Sequence, residues 1–166
     1  HRSGHSFPTR RSSDLYEIDL TIFGQGILRI TPTTGGGGQA VSFGGQTYAP
    51  HPIKAEGYEQ AHSGPMPRPK ITIGNIENSL TALIEENDDL QGAVVRRIRT
   101  YDRYLDNGAD PDGFAHKPID LHEISRKVSD DGDTISFELA AAMDLEGVKL
   151  PRSSNVLDNC YLAYRP

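Results

Sequence analysis

The chain has 166 residues, 17 Lys plus Arg against 23 Asp plus Glu, a formal net charge of −6, and one cysteine. That length fits one domain. The acidic balance disfavours nucleic-acid binding, which depends on neutralising phosphates, and a single cysteine can neither form an intrachain disulfide nor alone hold a metal.

No run of about 18 apolar residues offers a membrane span. The 17 glycines and 11 prolines follow no repeat, which points to many turns between short elements. Residues 1–14 read as a non-native or disordered leader. Their "FPTRRSSDL" resembles the translation of a sequencing adapter, and the stretch has almost no core-forming residues.

"LYEIDLTIFG" then alternates, with Tyr16, Ile18, Leu20 and Ile22 on one side and Glu17, Asp19 and Thr21 on the other. That is the pattern of a half-buried strand. "GILRITPT" predicts a second strand. Gly35–Gly38 predict a loop, but no helix and no Lys-Ser/Thr pair follow it, so it is not a phosphate loop. "AVSFGGQTYAP" reads as a hairpin around Gly44-Gly45, ended by Pro50 and Pro52. Pro65, Pro67 and Pro69 keep the next segment extended, and "KITIGNI" is a further strand.

"NSLTALIEENDDLQG" is the one helix candidate, near 79–91. Leu80, Leu83 and Ile84 form its apolar face, Asn78 or Ser79 caps it and Gly92 ends it. "AVVRRIRTYDRYLD" follows as a strand-like run dense in arginine. Alternation puts Arg97, Arg99 and Arg103 on one face with Val95 and Tyr101, and Arg96 on the other. "PIDLHEISRKV" and "DTISFELAAAMD" form a strand pair joined by "SDDGD". The fold class predicted is mainly β: an antiparallel barrel- or sandwich-like domain with one short inserted helix.

Candidate chemistry is sparse. In "DNGADPDG" (106–113), Asp110 and Asp112 precede Gly113, but no glutamate follows at the calcium-loop spacing, so a solvated turn is expected. His51, His62, His116 and His122 are too scattered for a zinc site. No nucleophile–base pattern stands out, and the chain is not expected to be an enzyme. Arg96, Arg97, Arg99 and Arg103 have two readings. They either pair with the chain's own carboxylates, or dock an acidic partner such as Glu85, Glu86, Asp88 and Asp89 of a neighbouring copy. A carbohydrate- or protein-binding β module using Tyr58, Tyr101 or Tyr104 is the alternative function.

"LYEIDLT", "GGQTYAPHPI", "VVRRIRTYDRYLD" and "LPRSSNVLDNCYLAYRP" occur in this order, and together they resemble the minor tail protein L family of lambda-type phages over about residues 15–166. The resemblance implies a structural tail-tip domain over 15–157. It would be a homo-oligomer, a ring of three linking the distal tail to the central host-recognition hub. The location implied is the tip of the virion's tail, after synthesis in the host cytoplasm. No membrane contact and no nucleic acid are implied for this domain, and Arg96, Arg97, Arg99 and Arg103 are the interface residues expected. Residues 158–166 would begin a truncated cysteine-rich segment. Cys160, in "NCYLAYR", would then ligate a 4Fe-4S cluster only in the full-length protein, and no cofactor is expected in these 166 residues.

Overall fold

The computed structural model describes residues 11–32, 39–58, 68–76 and 79–141. In chain order these hold β1 (Ser12–Asp19), β2 (Ile27–Pro32), β3 (Val41–Phe43), β4 (Gln46–His51), β5 (Ile53–Glu56), β6 (Lys70–Gly74), α1 (Ser79–Glu86), β7 (Val94–Tyr101), β8 (Asp120–Asp130) and β9 (Thr134–Ala141). All nine strands join one sheet in the order β3-β4-β2-β1-β7-β8-β9-β6-β5. Every named pairing is antiparallel except β2 with β4. Among the described residues no helix is long and apolar enough to cross a membrane.

The mainly β reading with one inserted helix holds. The barrel or sandwich does not: there is one sheet, and its hydrogen-bonded order is open between β3 and β5. The cause lies at Pro52. The chain leaves β4 at His51, which is paired with Pro32, and enters β5 at Ile53, which is paired with Ile73. One extended run thus serves both ends of the sheet, and proline, having no N–H, sits at the changeover. Pro50 and Pro52 therefore do not end the strand run, as the sequence suggested.

β1 also begins earlier than expected. Ser12, Ser13 and Asp14, inside the predicted leader, pair with Tyr101, Thr100 and Arg99 of β7. The β3–β4 hairpin turns at Gly44 and Gly45, whose φ values of +58° and +76° suit a residue without Cβ.

The helix is shorter than the predicted 79–91. It stops at Glu86, where the Asn87 Nδ2 donates to the Leu83 carbonyl at 2.7 Å. Asp88, Asp89 and Leu90 follow with φ of +50°, +55° and +57°, a left-handed turn that drops Leu90 into the core. At the N-terminal end the Leu80 N–H donates to Asn75 Oδ1 at 3.3 Å. Asn78 and the Ser79 side chain, the predicted caps, lie outside the described residues.

Both faces of the middle strands are covered. Tyr16, Ile18, Val95, Ile124, Ile135, Phe137 and Leu139 pack on one side with Leu80, Ile84 and Leu90. Leu15 and Ile98 point the other way and pack with Phe43 and Tyr48 of the hairpin. β1 and β7 are therefore buried on both sides, and the polar residues placed on them are held in a low-dielectric setting.

Candidate functional site: an arginine strand beside a polar cavity

β7 carries Arg96, Arg97 and Arg99, and strand alternation sends Arg96 to the hairpin side and the other two to the opposite side. Arg103 falls beyond the strand, in a 3-10 turn at Asp102–Tyr104, so it does not share the predicted face. The Arg103 guanidinium lies over the Tyr104 ring at 4.3 Å and is exposed.

On the hairpin side Glu17 is the centre. It is only 8% exposed, although its position in the alternation suggested solvent. Arg29 Nε donates to its Oε1 at 3.1 Å and the Tyr48 hydroxyl donates to the same oxygen at 2.9 Å. Arg96 reaches Oε2 at 3.8 Å while half of its side chain stays exposed. Burial, then the Glu17 hydrogen bond, push the Tyr48 phenol well above its ordinary range. An arginine inside the apolar run of β2 was the signal that a carboxylate must be buried beside it.

On the opposite side Arg97 donates to Asp14 Oδ2 at 2.9 Å, and its guanidinium lies 4.6 Å from the centre of the Tyr58 ring. Arg99 approaches Asp120 Oδ2 at 3.2 Å. The His122 ring meets Tyr58 edge-on at 5.2 Å. Burial raises the Tyr58 phenol and lowers His122 below the usual histidine range. Burial likewise raises Tyr16, to about 12, against the nearby Arg97 charge.

A cavity of about 920 Å³ opens here, walled by Ala55–Tyr58, Arg97, Arg99, Pro118 and Asp120. Four of its walls hold a buried atom without a hydrogen-bond partner among the described residues: Tyr58 OH, Arg97 Nε, Arg99 Nε and Asp120 Oδ2. The last is ion-paired with Arg99, but in a geometry that is not a hydrogen bond. His122 Nδ1, behind Tyr58, is a fifth. Each such group costs roughly 1–3 kcal/mol unless something satisfies it. All five fall at one place, which marks a site built for a polar occupant.

The printed ion pairs of Arg96, Arg97 and Arg99 therefore run to Glu17, Asp14 and Asp120 of the same chain, not to the carboxylates at the helix end. Asp89 instead meets Lys127 at 2.5 Å. Tyr58 has its ring occupied by Arg97 and His122. Tyr101 and Tyr104 sit edge-on to one another at 6.3 Å. The acidic loop is more than a solvated turn: Asp106 accepts from Ser42 Oγ at 2.7 Å and from the Gly44 and Gly45 amides at 2.9 Å each, stapling the loop to the hairpin.

Cys160 and His62 lie outside the described residues. Among the described residues no group of three or more His, Cys, Asp or Glu could hold a metal. With one cysteine in the sequence, the residues present do not fit a four-cysteine cluster.

The family model for phage minor tail protein L matches residues 21–166. Tail tip protein L of Escherichia phage lambda is 29% identical over 156 residues, covering 91% of this chain and 67% of that protein.

Proposed function

The chain belongs to the phage minor tail protein L family, and from that membership we propose that it is a structural subunit of the tip of a long phage tail. Copies of it close a ring of three that links the distal tail to the central host-recognition hub. The observation that carries this reading is the family match, which runs from Thr21 through the described sheet.

Arg96, Arg97, Arg99 and Arg103 belong to the contact between subunits. A chain of net charge −6 repels its own copies, so a ring contact needs local positive charge opposite carboxylates. Arg97 and Arg99 are braced by Asp14 and Asp120 and shape the contact. Arg96 and Arg103 present exposed guanidinium groups to it. Cys160 serves as an iron–sulfur ligand only together with cysteines supplied beyond these residues.

The test is complementation of a phage lacking this gene. Arg96→Ala with Arg103→Glu should leave the circular dichroism of the isolated domain unchanged and lower its incorporation into tails at least tenfold. Normal incorporation of the double variant would remove these residues from the contact. Quantitative mass spectrometry of purified tails should count three copies per tail, and any other number overturns the trimer.

A further inference from the structure

β5 ends the sheet, paired to β6 on one side and to no described strand on the other. The Gly74 N–H donates to the Pro52 carbonyl at 2.7 Å. In an antiparallel ladder alternate residues turn both backbone groups the same way. Lys54 and Glu56 therefore address β6, while Ile53 and Ala55 aim their N–H and C=O groups away from it. They aim into a groove of about 570 Å³ between Ile53–Ala55 on one wall and Ser12–Asp14, Thr31 and Pro32 on the other. This is the gap left where the sheet does not close. The groove shares Ala55 and Arg97 with the polar cavity, so the two form one continuous channel beside β5.

The chemistry of the channel selects its occupant. Arg11, Lys54, Arg97 and Arg99 bring four positive charges to its walls. Asp14, Glu56, Asp102 and Asp120 bring four negative ones, so the channel is formally neutral. An anion or a cation would leave that balance broken in a half-buried place. The unmatched side-chain atoms are two N–H donors, a carboxylate acceptor and a hydroxyl that can do either. A peptide backbone offers carbonyls and amides in alternation, and an exposed strand edge is where a peptide binds by adding a strand.

We propose that the channel takes an extended, uncharged segment of a neighbouring tail protein. The segment pairs with Ile53 and Ala55 as an added strand and supplies hydrogen bonds to Arg97 Nε, Arg99 Nε and Asp120. The source of that strand rests on the tail-subunit reading; the geometry of the site does not.

Amide hydrogen exchange tests it, comparing the full-length chain free in solution with the same chain in purified tails. Ile53 and Ala55 should exchange at least tenfold more slowly in tails, whereas Lys54 and Glu56, already bonded to β6, should change little. Ala55→Pro removes one outward N–H without touching the β5–β6 ladder. It should keep the thermal midpoint of the wild type and lose incorporation. Unchanged exchange at Ile53 and Ala55 in tails, with other segments protected, overturns the added strand and leaves the tail reading standing. A wild-type chain that does not enter tails at all overturns the tail reading, and with it the source named here.

Discussion

Single carboxylates do unequal work in this acidic chain. Glu56 and Glu138 are at or near the surface and pair with Lys54, and with Arg68 and Arg126, contacts that water and salt weaken. Asp106 is different because two of its three donors are backbone amides at the hairpin turn. The Ser42 hydroxyl, then those amides, hold its carboxyl below the usual range. A depressed folded value means the contribution is present above the unfolded value of about 4 and is lost as pH falls through the lower folded one. Asp106→Asn should therefore lower the thermal midpoint at pH 7, with the gap to wild type closing as the pH drops below about 4. Differential scanning calorimetry at pH 7 and pH 3 checks this, and a gap of equal size at both would show that the charge is irrelevant. The residue type and the neighbouring Gly-Gly were visible in the sequence. That Asp106 reaches a turn 62 residues away was not, because no local spacing encodes a contact of that range.

The elements were legible where period and length agreed. β1, β6, β8 and β9 show plain alternation, and the hairpin turn announced itself through paired glycines. Two elements were misjudged for physical reasons. Pro50 and Pro52 read as terminators, yet an edge strand tolerates a missing N–H, and the run continues into β5. The helix read too long because "NDDL" keeps the helical spacing of Leu90, while the backbone there is left-handed. Left-handed backbone costs a non-glycine residue about 1–2 kcal/mol, and Asp is among the residues that bear it best. Asp89 is held there by Lys127, but no printed side-chain ion pair engages Asp88. Asp88→Gly should remove that strain, with about 0.5–1 kcal/mol given back as the extra backbone freedom of glycine when unfolded. The expected result is stabilisation of up to about 1 kcal/mol by urea unfolding. A loss of stability would mean that the turn does not strain the chain.

At the scale of the whole molecule the sheet separates two cores of unequal size, and this was the least legible feature. Alternation shows which residues share a face but not that both faces of β1 and β7 are covered, so Leu15, Glu17 and Ile98 were assigned to the wrong surroundings. Arg96, Arg97 and Arg99 stood out as charge density, while their partners Glu17, Asp14 and Asp120 come from strands distant in sequence. The imbalance has a consequence for unfolding. Phe137 sits in the larger core, which ties α1 and six strands together, and it is 1% exposed. Phe43 sits in the smaller core, which joins the β3–β4 hairpin to Leu15 and Ile98, with Tyr104 and Leu105 against it. Phe137→Ala should cost about 3–5 kcal/mol and lower the protection of the entire sheet. Phe43→Ala removes the same ring from a cluster whose loss need not disturb β6, β8 and β9. Its effect on hydrogen exchange should concentrate in residues 41–51 and 102–117, as expected of a unit that opens below the global free energy. If Phe43→Ala instead raised exchange evenly across β8 and β9, the two cores would be one cooperative unit, and the hairpin side could not yield to a neighbouring subunit independently of the rest.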